Sequence, residues 1–186
     1  IITGSRKDPY LWKEKKNEII WRGKFTGKNL TPPLMIINFC PNIEKQINEY
    51  HRFNCVKMWS KNYNIKFCAN YNIEDKTDRM WANEGPRARF NLDYLDKLFQ
   101  EKKHMVGAHM NFDEEICEYK YILSLDGNDW SSVATLILKS NSLMMCPIPK
   151  WHNIIHFKLE PWVHYVPLKD DTSDLEEKLE WCNSNQ

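Results

Sequence analysis

Residues 119–143 read "YKYILSLDGNDWSSVATLILKSNSL", a tight polar turn set between two apolar segments. "YKYILSL" reads as a strand, and the Asp126-Gly127 pair turns the chain out of it. "SSVATLILKS" (131–140) reads as a helix with Ser131 or Ser132 near its start. "SLMMC" is a second strand, stopped by Pro147 and Pro149. Downstream, "WHNIIHFKLEP" (151–161) reads as helical and "WVHYVPL" (162–168) as a third strand. "SDLEEKLEWC" is a helix opened by Ser173, with Glu176 three residues on in a capping-box pattern. Strand and helix alternating at this spacing predict an α/β fold, a Rossmann-like parallel sheet with flanking helices.

Such sheets bind ligands in the crevice outside the carboxyl ends of their strands. A helix that starts there offers backbone N–H groups and a partial positive charge. Gly127 lets the backbone approach a ligand closely, Ser131 and Ser132 can donate to phosphate or sugar oxygens, and Trp130 can pack on a ring. The same stretch also suits a capped strand-to-helix turn with no ligand, and both readings stand at this level.

Upstream, "PYLWKEKKNEIIWRGKFTG" (9–27) reads as a charged lead-in to a short strand, Glu18 to Trp21, closed by the basic turn Arg22-Gly23-Lys24. Residues 28–50 and 72–90 read as loops or insertions, the first rich in Pro and the second in Asn, Asp, Arg and Gly. Residues 42–62 show helical spacing at Ile43, Ile47, Tyr50 and Val56. "IKFCANY" (65–71) alternates like a strand. "NLDYLDKLFQEKKH" (91–104) places Leu92, Leu95, Leu98 and Phe99 on one helix face.

The totals narrow the function classes. The 186 residues suit one domain with a real core, and 42% hydrophobic residues argue against disorder. With 26 basic and 25 acidic residues, the net charge of +1 gives no electrostatic case for nucleic acid. No apolar run approaches the roughly 18–20 residues that span a bilayer. The start, "IITGSRKD", is neither Met nor a signal peptide, so an upstream segment is expected. The six cysteines form no Cys-x-x-Cys pair, which argues against a zinc site, and their even number permits disulfides without requiring them. Asn29-Leu30-Thr31 is a weak glycosylation sequon. The six histidines show no spacing of a hydrolase triad, and no Gly-x-Gly-x-x-Gly follows a strand. Asp170, Asp171 and Asp174 resemble metal ligands by composition, but Asp174 better serves a helix N-terminus.

Four pieces, "WKEKKNEIIWRGKFTG", "YKYILSLDGNDWSS", "SNSLMM" and "LEPWVHYVPLKDDTSDLEEKLEW", occur here in an order that resembles glycosyltransferase family 90. This is the protein O-glucosyltransferase (Rumi-like), capsule-associated and lipopolysaccharide-modifying type. The resemblance is good over 9–27 and 116–182 and thin over 28–115. It implies a GT-B enzyme, in which this chain corresponds to the C-terminal, donor-binding domain, a single domain over 1–186 with 1–17 as lead-in. The N-terminal acceptor domain, with the family's catalytic carboxylate base, then has no counterpart here, and no catalytic residue is assigned. The implied substrates are a UDP-sugar of the glucose or xylose class and a protein or glycan hydroxyl. No cofactor and no metal are implied.

Carried over residue by residue, the implied donor-binding set begins with Arg22, Gly23, Lys24 and Thr26, where Lys24 replaces a family serine. Arg52 matches a diphosphate-binding arginine, whose guanidinium fork suits phosphate oxygens. Gly127, Asn128, Asp129, Trp130, Ser131 and Ser132 match the loop that wraps the donor, and Trp151 is a further contact. Val133 stands where the family has a basic residue beside the departing diphosphate, and Asn153 where it has a glutamate. Trp162, His164 and Tyr165 are read as packing. Either Arg52, Arg22 or Lys24 compensates for Val133, or the chain is a non-catalytic, nucleotide-sugar- or glycan-binding remnant of the family. The resemblance implies the ER or Golgi lumen in a eukaryotic setting and the cytoplasm in a bacterial or viral one.

Overall fold

The computed structural model describes residues 8–24, 51–68, 92–127, 130–148 and 158–186, with backbone only for 92–96. Six parallel strands form one sheet in the order β3-β2-β1-β4-β5-β6. They are β1 (Lys16–Gly23), β2 (Asn64–Cys68), β3 (Val106–Gly107), β4 (Tyr119–Leu123), β5 (Leu143–Pro147) and β6 (Val166–Leu168). The helices are α1 (His51–Trp59), α2 (Leu92–Glu101), α3 (Val133–Ile137) and α4 (Leu175–Ser184). This is the doubly-wound strand order, whose direction of winding reverses at β1. The expected parallel α/β sheet is therefore present.

The chain divides into two compact units, Ile1–Ile20 with Asn111–Gln186, and Trp21–Met110. In the first, β4 pairs with β1 through Ile19↔Tyr121 and Ile20↔Ile122, and with β5 through Tyr121↔Leu143 to Leu123↔Met145. Its strands carry near-continuous apolar runs because both faces are covered. Ile19, Ile20, Tyr121, Ile122, Leu123, Met145 and Leu175 are all buried. The lead-in is tied to this core by a buried ion pair. Lys15 Nζ donates to Asp8 Oδ2 at 2.7 Å and also to the Cys117 carbonyl. Asp8 further accepts the Tyr10 and Asn141 backbone N–H groups at 2.9 and 2.8 Å. Burial pushes the Asp8 carboxyl up, but Lys15 and these N–H groups outweigh it and hold the pKa below the usual carboxylate value.

In the second unit, Phe67 of β2 forms the centre of an aromatic cluster. Its ring lies 5.6 Å from those of Trp21 and Phe99, within the range of favourable edge and tilted contacts. Parallel pairing of β2 and β3 runs through Phe67↔Val106 and Cys68↔Gly107.

Several local expectations need correction. The helix read over 131–140 is only α3, Val133–Ile137. Three of its five residues are β-branched, and the Ser140 hydroxyl takes the Ile137 carbonyl at 2.7 Å, which stops further winding. The strand read over 162–168 is confined to Val166–Leu168, because Trp162–His164 form a turn. The Ser173–Glu176 capping box is not formed: Asp174 is the N-cap of α4 and makes no side-chain cap bond. Its Oδ1 accepts the Lys169 N–H at 2.9 Å instead, while Asp171 Oδ1 accepts that of Ser173 at 3.0 Å. Strand β1 is longer than read, and β3, two residues long, carries too little pattern to be seen in sequence. The 42–62 helix is observed from His51 to Trp59; its first part, the loops over 28–50 and 72–90, the sequon and the 151–157 segment lie outside the described residues. Cys55, Cys68, Cys117, Cys146 and Cys182 are free thiols.

Candidate functional site

Of the expected donor-binding residues, Arg22, Gly23 and Lys24 lie at the carboxyl end of β1, Arg52 in α1, and Gly127, Trp130, Ser131 and Ser132 after β4, which belongs to the other unit. Thr26, Asn128, Asp129 and Trp151 lie outside the described residues.

At the end of β1, Arg22 is held by the protein itself. Its Nη1 donates to the Trp21 and Asn64 carbonyls at 2.9 and 2.8 Å, and Nη2 to Asn64 Oδ1 at 2.6 Å. A longer bond, 3.3 Å, runs from Nε to the Ala108 carbonyl. These bonds engage four of the five N–H groups that a guanidinium carries. A Cβ on Gly107 would stand 3.2 Å from that guanidinium, so the missing side chain makes room for it.

Gly23 has a similar reason. A Cβ there would come within 2.4 Å of Trp21 Cζ2, and Trp21 is buried. The indole packed over it is a structural reason for glycine at this place in the Trp-Arg-Gly motif.

Arg52 opens α1, and its guanidinium carbon lies 5.6 Å from the Trp21 ring centroid. Its Nη1 donates to the Lys24 carbonyl at 3.1 Å. The arginine assigned by resemblance thus sits beside the lysine that closes the Trp-Arg-Gly-Lys motif. Lys24 itself is exposed. Cys68, nearby, has its pKa raised by burial, with Arg22 and Lys24 working against that shift.

At the end of β4, the chain stays buried through Ser124 and Leu125, and the Ser124 N–H donates to the Met145 carbonyl at 2.8 Å. Gly127 is buried. The Ser131 N–H donates to Asp126 Oδ1 at 3.2 Å, closing the turn across the base of the loop. Asp126 thereby takes one of the backbone N–H groups that precede α3. Ser131 is buried, and Ser132, the N-cap of α3, is exposed and makes no cap bond. A helix as short as α3 also carries only a small dipole. Anion attraction here is therefore weaker than a full-length helix would give.

Burial, with a contribution from Asp126, raises the pKa of the Cys146 thiol on β5 to about 12. Among the described residues, no three His, Cys, Asp or Glu side chains come together as a metal site. Asp171 and Asp174 hold their own turn, as described above. Among the same residues, no helix is long and apolar enough to cross a membrane.

These features define the chain as an α/β protein with the strand order of nucleotide-binding folds. A sequence model of "Glycosyl transferase family 90" matches residues 4–186, and the chain belongs to that family. It is 44% identical over 63 residues to O-glucosyltransferase LpsA of Dichelobacter nodosus, covering 33% of this chain and 20% of the relative. It is 33% identical over 138 residues to Protein O-glucosyltransferase 3 of Homo sapiens, covering 61% of this chain and 27% of the relative. A third relative, Uncharacterized protein 179R of Invertebrate iridescent virus 6, is 34% identical over 110 residues, covering 55% of this chain and 9% of the relative. The chain thus spans less than a third of the length of each.

Proposed function

We propose that this chain is the donor-binding part of an inverting glycosyltransferase of the GT-B kind, which moves a glucose- or xylose-class sugar from a UDP-sugar to a protein or glycan hydroxyl. One observation supports this most. In a family 90 chain with the doubly-wound order, the Trp-Arg-Gly-Lys motif closes β1 and the Asp-Gly-Asn-Asp-Trp-Ser-Ser motif follows β4, at the carboxyl ends where such sheets bind ligands.

In this reading Arg52 and Lys24 meet the diphosphate. Arg52 brings a guanidinium fork and Lys24 a point charge. Arg22 sets the end of β1 through its bonds to the Trp21, Asn64 and Ala108 carbonyls. Trp130, Ser131 and Ser132, with Gly127, Asn128 and Asp129, wrap the rest of the donor, and Gly23, Thr26 and Trp151 complete the set. The acceptor oxygen attacks the anomeric carbon as the bond to the UDP oxygen breaks. The electron pair leaves on the diphosphate, and the acceptor proton passes to a carboxylate outside this chain. Charge developing on the diphosphate must be stabilised for that bond to break, and with Val133 in the loop the burden falls on Arg52 and Lys24. No metal takes part.

A second reading is a non-catalytic member that binds a nucleotide sugar or glycan without transfer. The Val133 and Lys24 departures favour it. Calorimetric titration with UDP, UDP-glucose and UDP-xylose tests the donor site common to both. Micromolar UDP binding is expected; no nucleotide binding by the folded chain would overturn the assignment. Sugar transfer by a longer protein containing this chain then separates the two readings.

A further inference from the structure

Trp162 is half exposed at 50%, yet it sits at φ 65°, a left-handed conformation that costs a residue with a Cβ about 1–2 kcal/mol. The turn around it is fully bonded. Trp162 N–H donates to the Tyr165 carbonyl at 2.8 Å, and the Val163 and His164 N–H groups donate to the Glu160 carbonyl at 3.2 and 3.0 Å. The Glu160 N–H donates to His164 Nδ1 at 3.0 Å. This bonding holds a large apolar side chain at the surface.

A second half-exposed indole meets it. Trp181, in the last turns of α4, is 51% exposed, and the ring centroids lie 5.0 Å apart at 71°. Val163, at 69%, extends the apolar surface. Lys178 Nζ stands 5.1 Å from the Trp162 centroid and is 3.7 Å from Glu177 Oε1. Trp162 precedes β6, whereas the 126–132 loop follows β4, and β4, β5 and β6 are parallel. Within this unit the two tryptophans lie at the amino ends of the strands and the loop at their carboxyl ends.

The size and charge of the patch select its occupant. Two half-exposed indoles and a valine offer a few hundred Å², well short of the roughly 800 Å² per partner of a standard protein interface. Lys178, over the Trp162 ring, is offset by Glu177 at 3.7 Å, and Glu160 and Glu180, close in sequence to the two tryptophans, add negative charge. An uncharged pyranose fits: its axial C–H face stacks on an electron-rich indole while its hydroxyls meet a polar rim. We propose that Trp162 and Trp181 form a stacking platform for a neutral saccharide, at the opposite end of the strands from the 126–132 loop.

The test is titration of the isotopically labelled full chain with cellohexaose, whose all-equatorial glucose units have flat apolar faces, while following the indole N–H resonances. The Trp162 and Trp181 signals are expected to shift at millimolar sugar, with UDP neither needed nor competing. Trp162→Asn keeps a residue tolerant of positive φ, and Trp181→Ala removes an exposed ring, so both variants should fold. Each is expected to weaken binding about tenfold. Loss of UDP binding alone would refute the donor site and leave this platform intact. Indole signals that stay still up to the sugar's solubility limit would overturn it. So would signals that move only with protein concentration, marking self-association, or only with phosphatidylcholine vesicles, marking a lipid surface.

Discussion

The two ends of β1 carry lysine and arginine for different purposes. At the amino end, Lys15 is wholly buried against Asp8 and the Cys117 carbonyl, so its charge is spent inside the protein. At the carboxyl end, Arg22 donates to carbonyls and Arg52 lies over Trp21 beside an exposed Lys24. One strand of eight residues thus has a structural cation at its amino end and, at its carboxyl end, the cations proposed above to meet the diphosphate.

The largest break in this comparison is Lys15→Met. It strands the Asp8 carboxylate in a buried site, and about 3–5 kcal/mol of stability is expected to go. UDP affinity should stay unchanged in the folded fraction, as chemical denaturation and calorimetry together would show. Next comes Gly23→Ala, which drives a methyl group into the Trp21 ring. About 1–3 kcal/mol is expected, read as a lower unfolding midpoint. Arg22→Lys keeps the charge but loses the fork that joins the Trp21, Asn64 and Ala108 carbonyls. Roughly 2 kcal/mol of stability should be lost, with a smaller fall in UDP affinity.

The smallest effect is that of pH. The folded Asp8 pKa lies below its ordinary value of 3.8, so its contribution to stability is present above that value. It is lost as pH falls through the folded pKa. Denaturation midpoints should therefore drop on acidification below about pH 4, and Lys15→Met should flatten that acid limb.

The part of the fold that could be read from sequence is the part where pattern and packing agree. The runs at 119–125 and 143–146 are apolar because strands covered on both faces need such residues; β4 takes the first up to Leu123, and the second lies in β5. Reading failed where tertiary contacts override local signals. Ser173 and Glu176 have the spacing of a capping box, but Asp174 is drawn to the Lys169 N–H and the box does not close. "WVHYVPL" alternates well enough for a strand, yet Trp162 is turned into a left-handed conformation and exposed, and His164 is exposed too, so the packing role read for them holds only for Tyr165.

At the candidate site, the sequence placed the two motifs near the ends of β1 and β4 to within a few residues but did not show what their residues touch. Gly23 is shaped by an indole two residues back, and the Ser131 N–H by Asp126. Neither partner is implied by glycine or serine alone. Resemblance matched Arg52 to a diphosphate-binding arginine across 27 residues that carry little of the family's pattern, and its bond to the Lys24 carbonyl is a contact that the sequence did not show.

The most direct measurement compares UDP binding by the natural chain and by Arg52→Ala, with the thermal midpoint of each. The division of roles along β1 predicts an affinity loss of at least about tenfold with a stability change near 1 kcal/mol, the scale of one exposed hydrogen bond and a cation–π contact. Unchanged UDP affinity in folded Arg52→Ala would contradict it and leave Arg52 as packing on Trp21.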